Sequence, residues 1–164
     1  MAKAGKILAL LGGIFTLIGT FVLSLFTTGS SYFYGIGLFI PFTNFTGLFL
    51  GDWVNILVGI GVVLYLLAFL LILIGIKVKI LAFIGSLFPL AMVVFIVLGA
   101  FGLTGPLFYI GNVIGGGGMT ALVDGWVPLS FPVLLLGEID LGTWIIGLGG
   151  LLALISSFLS RDDY

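Results

Sequence analysis

The side chains best equipped for chemistry in this sequence are four acids, Asp52, Asp124, Glu138 and Asp140. Oxygen-rich clusters bind calcium outside cells, and Glu138-x-Asp140 offers two carboxylates to one ion where the backbone bends around it. Asp124, and from farther back Asp52, complete the candidate cation set. Calcium takes about 6–8 oxygens, so a merely solvated acidic rim is the competing reading. The run Gly115 to Gly118 is rich enough in glycine to cradle a phosphate, but no Lys-Ser or Lys-Thr follows it. It therefore reads as a turn rather than a nucleotide loop. Asn44-Phe45-Thr46 satisfies the N-glycosylation acceptor pattern.

What is missing narrows the chemistry further. The chain has no histidine, no cysteine and no glutamine. Disulfides, thiolate nucleophiles and imidazole metal sites are excluded. An enzyme needs a nucleophile with an activating base, or a metal or cofactor; none is legible, so no catalytic residue and no cofactor is expected. A net charge of −1 without a basic run argues against nucleic acid. Scarcity of thermolabile side chains suits a thermophilic, archaeal source.

Residues of 62% hydrophobic and 7% charged character cannot build a water-facing surface, since ordinary soluble domains carry about a quarter charged residues. The expected fold is all-α, a single integral membrane domain made of a four-helix bundle. A helix needs about 20 apolar residues to cross the hydrocarbon. Four stretches meet that test: 7–26, 53–76, 80–101 and 141–159, none with an internal charge. Lys3 and Lys6 precede the first, Lys77 and Lys79 lie in the turn 77–79, and Arg161 follows the fourth. Lysine and arginine near span ends stay cytoplasmic, so both termini are placed inside and the acids outside. Trp53 and Trp144 open the second and fourth stretches where an outer interfacial belt would sit. The first apolar run is too long for the h-region of a cleaved secretory signal.

Lipid tails are as apolar as leucine, so these helices must associate by close packing. Gly12, Thr16, Thr20 and Ser24 recur every fourth position, as do Gly149, Ala153 and Ser157. The two stripes are expected to face each other or a neighbouring copy. The short turn at 77–79 forces an antiparallel pair, and Pro89 should kink the third span. The outer segments, 27–52 and 102–140, are apolar, glycine-rich and proline-interrupted. Such segments lie in the interface, fold over the bundle or pack on a partner, and 126–136 dips into the bilayer only if protein covers its backbone.

The expectation is a non-enzymatic structural or accessory membrane protein. Its partners would be membrane lipids, copies of itself and subunits of a larger complex. The alternative is an oligomeric channel lined by hydroxyls such as Thr16, Thr20, Ser24, Ser156 and Ser157. Charged residues inside the spans, usual in coupled transporters, are lacking. Four spans with inward termini and two outer segments resemble the arrangement of claudins and tetraspanins, and Gly47-Leu48-Phe49 is similar to the Gly-Leu-Trp of claudins. That resemblance implies lateral assembly or cell contact without catalysis. The cysteine pairs that staple the outer domains of both families are missing here.

Overall fold

The structure of the chain, a computed structural model, describes residues 2–28, 31–35, 53–100 and 139–159. Helix α1 spans Ala2–Phe21, and strands β1 (Ser24–Thr28) and β2 (Ser31–Tyr34) follow it. Helices α2 (Trp53–Leu66), α3 (Ala68–Ile74), α4 (Lys79–Ala100) and α5 (Leu141–Phe158) complete the described elements. The described residues are mostly helical, and α1, α4 and α5 are long and apolar enough to cross a membrane.

Three features depart from the expectation. The fold is not purely helical, because β1 and β2 form an antiparallel hairpin with Thr28 opposite Ser31 and Phe26 opposite Phe33. The apolar run expected to be helical over 7–26 therefore leaves the helix at Phe21. The Val22 and Leu23 amides both reach back to the Ile18 carbonyl, closing the last turn. Beyond it, Phe26, Thr27, Thr28, Tyr32, Phe33 and Tyr34 are β-branched or aromatic, the types that favour strands. Ser24, expected on a helical stripe, belongs instead to β1.

The stretch 53–76 is likewise two helices rather than one, interrupted at Leu67, and ordered helix stops at Ile74. The Leu67 amide still bonds to the Val63 carbonyl at 2.9 Å and the Leu71 amide to the Leu67 carbonyl at 3.1 Å. Leu67 is thus paired through both its amide and its carbonyl, as an apolar surrounding favours. Pro89 lies within α4 without ending it and is buried.

Glycines set how closely the rods approach. A methyl on Gly13 would lie 2.6 Å from Leu73, and farther along the pair Phe21 meets Phe69 edge to face at 5.6 Å, so α1 and α3 run antiparallel. Gly85 accommodates Leu71 and Ile72, while Gly75 receives the backbone of Ala82, so α3 and α4 are antiparallel too. Along α4 and α5, Val93 touches Gly147, Leu90 touches Gly150, and Phe83 meets Phe158, again in opposite senses. α1 runs against α5 in the same way, with Gly12 beside Gly149 and Gly19 beside Gly142.

These directions sort the chain ends. Lys3, Lys6, Lys77 and Lys79 fall at one end of the packed helices, together with the end of α5. The hairpin and Asp140 fall at the other. A hydrophobic cluster of Leu25, Val62, Tyr65, Leu66, Met92, Ile96, Ile139 and Ile146 fills the hairpin end. Outward, large aliphatics stand open to the surroundings on every long helix, Ile7 and Ile14 on α1, Ile80 and Val94 on α4, Leu151 and Ile155 on α5. A surface of that kind is stable against hydrocarbon and not against water.

Candidate functional site

Among the described residues the only carboxylic acid is Asp140, and it is fully buried. It stands immediately before α5, with its backbone extended and its carbonyl accepting the Thr143 amide at 3.1 Å. The Asp140 amide donates to the Leu25 carbonyl at 3.0 Å, which lays this stretch alongside β1. The same carbonyl accepts the Thr143 hydroxyl at 2.5 Å. Ser24 donates its hydroxyl to the Asp140 carboxyl. A polar group removed from water costs several kcal/mol unless it is bonded, so these contacts are what let Asp140 sit where it does. Their effect is to fasten the hairpin to the start of α5.

Asp140 therefore does not stand on an open acidic rim. Asp52, Asp124 and Glu138, its expected companions in a cation site, lie outside the described residues, as does Asn44 with its glycosylation pattern. Among the described residues no group of three or more acids, histidines or cysteines comes together. Trp53 begins α2, and Trp144, in the first turn of α5, is exposed.

The hydroxyls of Thr16, Thr20, Ser86 and Ser156 are turned inward. Thr16 donates to the Gly12 carbonyl of its own helix at 2.8 Å. Ser86 does the same to Phe83, and Ser156 to Ala153, each at 2.6 Å. Thr20 donates to the Tyr65 hydroxyl at 3.1 Å, a buried bridge between α1 and α2. Ser157 bonds to the Leu154 carbonyl and is half-buried, whereas its neighbour Ser156 is fully buried. Thr16, Thr20 and Ser156 thus face protein, not the outer surface.

The small residues of α1 and α5 meet within the chain. A methyl on Gly12 would lie 2.8 Å from the Gly149 carbonyl and 2.9 Å from the Ala153 amide; one on Gly149 would lie 2.7 Å from the Thr16 hydroxyl. Gly19 lies equally tight against Gly142 and Ile146, and Gly142 against the backbone of Ser24. Four-residue spacing picked out only part of this seam. A seven-residue spacing adds to it: Gly12 and Gly19 on one helix, and Gly142 and Gly149 on the other, all buried. That repeat is how a side chain returns to the same helical face after two turns. Tyr65 and Thr143 carried no comparable signal, because each is defined by a partner distant in sequence.

No protein-family profile matches the chain, and neither the curated proteins nor the solved structures contain a match to it.

Proposed function

We propose that this chain is a non-enzymatic, multi-pass membrane protein with a structural or accessory role, crossing the bilayer four times and associating laterally with copies of itself or with a larger membrane complex. Three apolar helices of spanning length support the membrane setting. The fourth crossing is α2 with α3, each bonded through the backbone to Leu67 between them. Grouping of Lys3, Lys6, Lys77 and Lys79 at one end supports placing that end, with both termini, on the cytoplasmic side of the cell membrane.

One observation carries the structural role: the hydroxyls of Thr16, Thr20, Ser24, Ser86, Thr143 and Ser156 are buried and Gly12, Gly19, Gly142 and Gly149 are occupied by contacts inside the chain, while large aliphatic side chains are exposed along the long helices. An aliphatic helix surface of this kind binds lipid or another apolar surface. The same observation disfavours the channel reading, since Thr16, Thr20 and Ser156 are not available to line a path between protomers. Lateral assembly then uses surfaces other than the α1–α5 seam, because Gly12, Gly149 and Ala153 meet one another within the chain. The topological resemblance to claudins and tetraspanins points the same way.

Extraction in a gentle detergent, followed by mass measurement of the intact particle, tests the reading. The expected particle is heavier than the 17.3 kDa protomer. A dispersed monomer at every detergent concentration would overturn lateral assembly.

A further inference from the structure

We draw no further inference here: the strongest candidate, the open aliphatic face of α2 at Leu57, Ile60 and Gly61, where a methyl on the glycine would meet nothing within 4 Å, carries nothing because nothing in the structure shows what covers it.

Discussion

Gly12 and Gly149 pack backbone to backbone, each so close that a methyl on either would lie 2.8 Å from the carbonyl oxygen of the other. In lipid this approach replaces the hydrophobic effect as the force between helices, because van der Waals contact is gained only where surfaces fit. The relationship is reciprocal and rests on backbone atoms, which cannot rotate away.

Gly149→Val should therefore destabilise the fold by about 1–3 kcal/mol, the usual cost of forcing extra carbon into a packed seam. Gly61 is the internal control: a methyl there meets nothing within 4 Å. Gly61→Ala should be neutral or stabilising by up to about 1 kcal/mol, through helix propensity alone. Unfolding of both variants in a mixed detergent series, followed by helical circular dichroism, checks the contrast. Equal behaviour of the two would remove the packing argument.

Ser24 and Asp140 tie together segments more than a hundred residues apart in sequence. Ser24→Ala leaves the buried carboxyl without that donor and should cost about 1–3 kcal/mol. Combining it with Asp140→Leu should cost less than the sum of the two single changes, since residues that share one bond are coupled. The same unfolding assay reads all three variants, and strict additivity would show that the bond does not hold the hairpin to α5.

Thr20 and Tyr65 bridge α1 and α2 through their hydroxyls. Such bonds inside membrane proteins average about 0.6 kcal/mol in double-mutant cycles. Thr20→Val and Tyr65→Phe are each expected to lose about that much, and the double variant little more than either. A coupling energy of zero would mean that the two helices are held by their apolar contacts alone.

Much of this arrangement was legible in the sequence, and what was not has a physical cause. The helices over 79–100 and 141–158 announce themselves because an apolar run of that length has few other uses. Gly12, Gly149 and Ala153 were legible as a packing face because small residues at helical spacing have a direct geometric meaning. The hairpin was not, because Phe26 and Leu25 continue the hydrophobic run of α1, and hydropathy does not distinguish a strand from a last helical turn. Its local signals were present in Thr27-Thr28-Gly29-Ser30, a β-branched pair leading into a Gly-X connection of the kind that closes tight hairpins. The interruption at Leu67 had no signal, since Leu67 and Ala68 are both good helix formers. Asp140 read as a solvated acid because its burial depends on β1, which reaches it only through the tertiary fold.

The account depends above all on which parts of the chain share a side of the bilayer. The absence of native cysteine makes single-cysteine reporters unambiguous. In sealed vesicles, an impermeant thiol reagent should treat Lys3→Cys and Lys77→Cys alike, and Ser31→Cys, in the hairpin, in the opposite way. Labelling that separates residue 3 from residue 77, or that joins residue 31 to both, would contradict the arrangement of crossings on which the proposed function rests.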